Sequence, residues 1–207
     1  PLRWDTPMAL GFSPFLPGME ARAVELEASR IDLPVAERPA DLDDLAYADI
    51  ATLASLVRSR AVSCVELCEL FLGRLERFDE ELNCVVSLLP ERALAQARAL
   101  DAELERGEWR GPLHSIPYGA KDLLAARGAP TTWGAKPFAQ QVLDEDASVI
   151  TRLEQAGAVL VAKLSLGALA MGDEWFEGRT NNPWDPKRGS SGSSAGPAAA
   201  TAAGLVP

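Results

Sequence analysis

A segment rich in glycine and serine, residues 189–197 (GSSGSSAGP), has the residue types best suited to chemistry. A Gly/Ser tract is typical of a flexible linker. Here, however, it leads directly into the alanine-rich apolar stretch 195–205, which predicts a core helix. Small residues at a helix N-terminus allow close approach of the backbone and leave N–H groups free to bind an oxygen or an anion. We therefore interpret this Gly/Ser tract as a candidate site.

Three interpretations of this tract compete. Residues 192–196 (GSSAG) match the G-x-S-x-G nucleophile elbow with Ser194 as nucleophile, but an elbow follows a buried strand and precedes its histidine. The sequence has one histidine, His114, which lies upstream, and residues 183–188 do not read as a buried strand. A phosphate-binding loop would end in Gly-Lys-Ser/Thr, a pattern that the tract lacks. A serine activated by a lysine is the natural option for a serine hydrolase with almost no histidine.

Lys121 is the candidate base for such a serine. It lies within residues 117–124 (PYGAKDLL), an apolar setting rich in small residues. A lysine can act as a base when burial and neighbouring groups favour its neutral form. The alternative interpretation is a surface lysine that pairs with Asp122. The combination of motifs described below favours the catalytic interpretation.

Composition argues against several other classes of function. The 207 residues include 30 acidic and 20 basic side chains, a net charge of −10, which argues against binding to duplex nucleic acid. No apolar run is long enough to span a bilayer. A single histidine excludes metal sites built on two histidines, and three cysteines without a CxxC pattern argue against disulfides and a zinc site. We expect a protein of the reducing cytoplasm.

Helical and extended patterns alternate along the chain. Residues 1–44 are rich in proline and predict an irregular N-terminal arm with a short helix at 19–30, whereas residues 45–207 predict one α/β domain. A helix ending at Gly157 precedes the continuous apolar strand 158–164, a pattern typical of a sheet covered on both faces. The further predicted elements are helices at 47–58, 63–79, 91–106 and 147–156, a strand at 83–89, extended segments within 113–124, and a loop at 178–194.

Local signals refine the helix boundaries. Ser63 with Glu66 predicts a capping box, and Asp146 predicts the N-cap of the helix at 147–156. Cys64 and Cys68 lie four residues apart on one helical face. We interpret them as buried thiols because no partner ligands accompany them.

Four motifs in this order resemble the amidase signature enzymes, over roughly residues 45–207. They are residues 111–122 (GPLHSIPYGAKD), 156–164 (AGAVLVAKL), 180–185 (TNNPWD), and the Gly/Ser tract running into 202–206 (AAGLV). The resemblance implies the α/β fold of that family, a mixed central β-sheet covered by helices on both faces. It also implies hydrolysis of amides through a Ser–cis-Ser–Lys triad.

The resemblance assigns the lysine of the triad to Lys121. The middle serine, which follows a cis peptide bond, is Ser190 when the tract is aligned from its first glycine. It is Ser193 when the tract is aligned without gaps back from residues 202–206. We prefer Ser193, because a gap within the downstream helix would rotate its buried face. We therefore predict a cis bond between Gly192 and Ser193, and about 2.6–3.2 Å between Lys121 Nζ and Ser193 Oγ.

The nucleophilic serine of the family follows the middle serine in a further Gly-Gly-Ser segment, which is expected beyond Pro207. We interpret the chain as the N-terminal part of an amidase-like domain with an incomplete sheet, and expect no activity from it alone. His114 is interpreted as a structural residue beside the strand that carries Lys121.

The resemblance also suggests where substrate binds. Met171, Gly172 and Asp173 fall where the family places substrate-binding loop residues, with core packing as the alternative for Met171. Trp175 and Phe176 either line the pocket or pack under the Gly/Ser tract.

The leading hypothesis is an amidase that hydrolyses a small-molecule amide to an acid and an amine through an acyl-enzyme, with no metal or organic cofactor. One alternative is the A-type glutaminase subunit of a tRNA-dependent amidotransferase. A second is a non-catalytic interaction domain with the same fold. We expect neither duplex nucleic acid nor a membrane among the partners, and homodimer formation is left open.

Overall fold

The computed structural model describes residues 32–207, of which Leu33–Pro207 form one compact unit. The predicted helix at 19–30 and most of the predicted arm at 1–44 lie outside the described residues. Residues 32–41 contain neither helix nor strand, and a short 3-10 helix follows at Leu42–Tyr47. The α-helices are α1 (Ile50–Arg58), α2 (Cys64–Leu82), α3 (Pro90–Glu105), α4 (Ser148–Gln155) and α5 (Ala195–Ala202).

The capping box predicted at the start of α2 is confirmed. Ser63 Oγ accepts a hydrogen bond from the Glu66 N–H at 3.0 Å, and the Glu66 carboxylate accepts one from the Ser63 N–H at 2.9 Å. The Arg38 guanidinium and the Ser63 N–H stabilise the charged form of this carboxylate, which lowers the pKa of Glu66 to about 2. The start of α2 is therefore set by a local signal that the sequence makes visible.

Helix α2 ends three residues beyond the predicted end. Asp79, where the helix was expected to end, hydrogen-bonds to the first residues after the helix. Its Oδ1 accepts hydrogen bonds from the N–H groups of Cys84 at 2.7 Å and Val85 at 2.8 Å. Asn83 then ends the helix in the left-handed conformation, with φ of 49°. The helix passes directly into the first strand of the sheet.

Replacing Asp79 by alanine is expected to lower the free energy of unfolding by about 1–3 kcal/mol, because two backbone N–H groups lose their acceptor. Urea unfolding of the variant measures the loss. Glu80→Ala is the matched control, since Glu80 is an exposed carboxylate on the same helix. Equal stability of the two variants would contradict a linking role for Asp79.

All three cysteines are free and buried, as predicted for Cys64 and Cys68. Both thiols face the core from the first two turns of α2, and Cys84 lies between α2 and the sheet. Burial raises the pKa of Cys64 and Cys68 to about 12 and also raises that of Cys84.

The central sheet is mixed, as expected. Its strands are β1 (Val85–Leu88), β2 (Pro117–Lys121) and β3 (Val159–Leu164), in the order β1–β3–β2. β3 pairs antiparallel with β1 and parallel with β2. Every residue of β3 is buried, which confirms the strand predicted from the continuous apolar run.

Helices cover both faces of this sheet. Val159 and Val161 belong to the larger core cluster, which also contains buried residues of α1, α2 and α3. Leu160, on the alternate face of β3, packs in a second cluster with Ile150 of α4. The predicted covering of both faces is therefore confirmed.

The predicted N-cap of α4 is wrong. Ala147 occupies the N-cap position without a side-chain hydrogen bond. Asp146 Oδ1 instead accepts a hydrogen bond from the Arg127 N–H at 2.8 Å, so this carboxylate fastens a preceding loop. Gly157 follows the helix with φ of +91°, as the predicted stop requires.

The region predicted as a loop at 178–194 contains short strands, so that prediction is wrong in part. One of them covers residues 185–189, but none of its residues is buried, so 183–188 is not a buried strand, as predicted. The Asn182 side chain accepts a hydrogen bond from the Trp184 N–H at 2.9 Å, which forms the tight turn of a hairpin. The region contains two two-stranded ribbons, with strands β4 (Glu174–Trp175), β5 (Gly178–Arg179), β6 (Asn181–Asn182) and β7 (Asp185–Gly189).

None of the helices within residues 32–207 combines the length and apolar character needed to cross a membrane.

Candidate active site

Lys121, the last residue of β2, points to the Gly/Ser tract. Its Nζ donates hydrogen bonds to Ser193 Oγ at 2.9 Å and to Ser194 Oγ at 3.1 Å. The distance to Ser193 lies in the predicted range. The alternative pairing of Lys121 with Asp122 is wrong, because the Asp122 carboxylate lies in the interior and pairs with Lys163.

The backbone of the tract has the predicted form. The peptide bond between Gly192 and Ser193 is cis, and it is the one cis bond within residues 32–207. Ser191, which precedes Gly192, has a left-handed backbone conformation with φ of 64°. Ser190 donates its hydroxyl hydrogen bond to the Ser191 carbonyl instead of approaching Lys121. The cis bond therefore precedes Ser193, where the alignment back from residues 202–206 predicted it, and does not precede Ser190.

The loop after β3, residues 165–173, packs closely against the residues on both sides of the cis bond. A Cβ atom added to Gly192 would lie 1.8 Å from the Gly172 carbonyl oxygen, so only glycine fits there. On the other side, the Gly167 N–H donates a hydrogen bond to the Ser193 carbonyl at 3.3 Å. Ser193 is thus held through its backbone as well as through its hydroxyl.

Asp173 fastens the preceding residues of the tract. Its Oδ2 accepts a hydrogen bond from the Ser191 N–H at 3.0 Å, and its carbonyl accepts one from the Thr180 N–H at 3.0 Å. A Cβ atom at Gly189 would lie 1.9 Å from Asp173 Oδ2. The carboxylate therefore braces the left-handed turn that precedes the cis bond.

The three residues predicted to bind substrate lie together beside the tract. Gly172 and Asp173 contact it directly, whereas Met171 is 79% exposed, so the core alternative for Met171 is wrong. Substrate binding by Met171, Gly172 and Asp173 stays a prediction. Trp175 and Phe176 line a cavity of about 560 Å³ together with β1 residues and Thr132, and neither Lys121 nor Ser193 borders that cavity.

His114 is a buried structural residue in this structure. Its Nδ1 accepts a hydrogen bond from the Arg110 N–H at 3.3 Å, and its Nε2 lies 3.2 Å from the Leu100 carbonyl, to which it donates in the matching tautomer. Burial lowers the pKa of His114 below its usual value. Its ring nitrogens therefore have partners outside the serine–lysine cluster.

The buried imidazole predicts a pH dependence of stability. Because the pKa of His114 is lower in the folded than in the unfolded chain, its contribution is complete above about pH 6.5 and is lost as the pH falls. We expect the free energy of unfolding to decline between pH 6.5 and pH 5, and less steeply in His114→Gln. Urea unfolding at pH 7.5, 6.5 and 5.5 measures both slopes. Parallel slopes would assign the decline to other groups.

A buried ion pair that lies beside the site was not predicted from the sequence. Lys163 Nζ donates to Asp122 Oδ1 at 2.6 Å, to the Pro130 carbonyl at 2.9 Å and to Thr131 Oγ1 at 3.1 Å. Both charged side chains are completely inaccessible to solvent. The available signal was a lysine inside an otherwise apolar strand, since a buried charge requires a partner.

Side chains that could hold a metal ion do not gather in this part of the chain. Within residues 32–207, no three His, Cys, Asp or Glu side chains form a cluster suited to metal binding. The side chains from outside the Gly/Ser tract that hydrogen-bond to it are the Lys121 amino group and the Asp173 carboxylate, and both kinds of group can transfer protons.

A lysine at the end of a sheet strand, hydrogen-bonded to a serine that follows a cis peptide bond, is the geometry that the resemblance to the amidase signature enzymes implies. The comparison with known families agrees: residues 66–207 match the family described as Amidase, and the chain belongs to that family.

Known relatives share both the sequence and the fold. The chain is 42% identical over 161 residues to a subunit of glutamyl-tRNA(Gln) amidotransferase from Methylococcus capsulatus, and the match covers 76% of this chain and 33% of that protein. Native peptide amidase from Stenotrophomonas maltophilia has 31% identity and a TM-score of 0.75, over 79% of this chain and 36% of that one. An amidase family protein from Bacillus anthracis has 26% identity and a TM-score of 0.74, over 80% and 35%. The chain thus spans about a third of the length of these relatives.

Proposed function

We propose that the longer protein containing this chain is an amide hydrolase that works through a Ser–cis-Ser–Lys triad. The observation that carries the proposal is the 2.9 Å hydrogen bond between Lys121 Nζ and Ser193 Oγ, at a serine that follows a cis bond. A proton relay requires this direct contact between base and hydroxyl.

In the proposed reaction, the neutral Lys121 amine takes the proton of Ser193, and Ser193 takes the proton of a nucleophilic serine supplied beyond Pro207. That serine forms a bond to the amide carbonyl carbon. When the C–N bond breaks, the proton returns from Lys121 through Ser193 to the leaving nitrogen. Water then hydrolyses the acyl ester and releases the acid. The scheme uses side chains alone and calls for no metal or organic cofactor.

The proposed substrate is a small-molecule carboxylic amide. Ser194, whose hydroxyl accepts the second hydrogen bond from Lys121 Nζ, orients the amine toward Ser193 in this scheme.

Free, buried thiols are common in reducing compartments, and we propose a cytoplasmic location on that ground.

A second candidate is the glutaminase subunit of a tRNA-dependent amidotransferase. It is favoured by the 42% identity to the amidotransferase subunit of Methylococcus capsulatus. In this case the same triad would release ammonia from glutamine, and the partners would be other subunits that bind tRNA.

The test is an assay of ammonia release by the full-length protein. We expect release from simple primary amides without any partner, and the amidotransferase alternative predicts release from glutamine only when partner subunits are added. No release from either substrate class, in a protein whose Lys121 and Ser193 are intact, would favour a non-catalytic interaction domain and overturn the proposal.

A further inference from the structure

The ion pair of Asp122 and Lys163 lies directly behind the proposed base. Asp122 follows Lys121 in the chain, and the two side chains leave the backbone in different directions. Lys121 reaches the hydroxyl of Ser193, whereas Asp122 is enclosed and accepts a hydrogen bond from Lys163 Nζ at 2.6 Å. The reactive amine and a fully buried charge pair thus lie on adjacent residues of the chain.

Every polar atom of this pair has a partner. The Lys163 ammonium uses its three protons on Asp122, the Pro130 carbonyl and the Thr131 hydroxyl. Asp122 Oδ2 accepts hydrogen bonds from both the N–H and the hydroxyl of Thr132, the former at 2.8 Å. Replacing both members of a buried ion pair by well-packed hydrophobic residues of similar volume is often neutral or stabilising. The presence of a complete network therefore calls for a role other than stability.

We propose that Lys163 and Asp122 are positioning residues, which hold the end of β2 so that Lys121 Nζ stays in contact with Ser193 Oγ. The inference rests on the proposed function, since it takes Lys121 as the base. The backbone of Asp122 is fixed by the same arrangement. Its N–H donates to the Leu164 carbonyl at 2.8 Å, and its carbonyl accepts from the Trp133 N–H at 3.3 Å.

The network also reaches the serine side of the contact. The loop at 130–134 is held by the ion pair, and the Trp133 carbonyl accepts a hydrogen bond from the Leu169 N–H at 2.8 Å. Leu169 belongs to the segment whose Gly167 N–H bonds to the Ser193 carbonyl. The pair therefore supports both partners of the 2.9 Å hydrogen bond.

The test measures kcat and KM of the full-length enzyme with a primary amide. Asp122→Asn and Lys163→Met each leave one buried charge unpaired, so the double variant with both changes carries the test. We expect its kcat to fall about 100-fold with little change in KM, because a small displacement of a catalytic group costs that much in rate. Leu160→Ala is the control: it removes a buried side chain from the other end of β3, and should lower Tm without changing kcat.

Thr132→Val provides a milder variant that keeps the ion pair. It removes the hydroxyl that donates to Asp122 and accepts from the Gly134 N–H, and it decides the question if the double variant does not fold. We expect an intermediate loss of kcat. Folded variants with lowered Tm but wild-type kcat, like Leu160→Ala, would overturn the positioning role. Lys121→Ala separates the two proposals: activity in that variant overturns the proposed function, whereas its inactivity beside normal pair variants overturns only the positioning role.

Discussion

Replacing Lys121 by alanine in the full-length enzyme is expected to abolish turnover, with a fall in kcat of about 10⁴-fold. The variant leaves neither Ser193 nor the downstream nucleophile with a base, because Ser193 Oγ has its hydrogen bond from Lys121 Nζ. Substrate affinity should change little, since the amine acts on protons and not on the body of the substrate. Steady-state kinetics combined with a binding measurement, such as calorimetry with a substrate analogue, separates the two quantities.

Two controls accompany this variant. Lys187→Ala removes an exposed lysine of β7 and should keep wild-type activity. His114→Ala removes the one histidine of the sequence and should keep most activity at a temperature where the protein is folded, although it empties a buried position. The opposite pattern, an active Lys121→Ala beside a dead His114→Ala, would replace the proposed mechanism by a histidine-based one.

Gly192→Ala is expected to reduce kcat/KM by about 100-fold or more and to lower stability by about 1–3 kcal/mol. The added Cβ would lie 1.8 Å from the Gly172 carbonyl oxygen, and that oxygen belongs to the backbone, so it cannot rotate away. Either the loop at 167–173 or the tract must shift, and Ser193 follows Gly192 directly. Kinetics and urea unfolding of the same preparation measure both effects.

Gly73→Ala is the matched control for this substitution. Gly73 is exposed in the middle of α2, and a Cβ atom there would meet nothing within 4 Å. Alanine at that position should raise stability by about 0.5–1 kcal/mol and leave kinetics unchanged. If Gly192→Ala were equally harmless, the contact with Gly172 would not hold the tract in place.

The contact between Lys121 and Ser193 could be predicted because four short motifs in order carry the resemblance to the amidase signature enzymes, and that resemblance implies a triad containing both residues. The apolar helix after the tract determined the alignment, and the choice of Ser193 over Ser190 followed from keeping that helix free of gaps. The capping box at Ser63 was visible from the local residue types alone, since its two partners lie three residues apart.

Contacts between distant residues were not visible in this way. Asp146 has the residue type of an N-cap, but the Arg127 N–H, nineteen positions earlier, takes its carboxylate. Lys163 on β3 hydrogen-bonds to Asp122 at the end of β2, and the two residues are forty-one positions apart in the chain. The short strands between 174 and 189 depend on pairing with each other more than on the intrinsic preference of their residues.

Because all three thiols are buried, we expect them to react poorly with cysteine-directed labels in the folded chain. The thiolate is the form that reacts with maleimides and disulfide reagents, and burial disfavours it at Cys64, Cys68 and Cys84. The sequence has no other cysteine. A cysteine introduced in place of the exposed Met171 would therefore be the single reactive thiol among these 207 residues, and a fluorophore or spin label attached there would report on events beside the Gly/Ser tract.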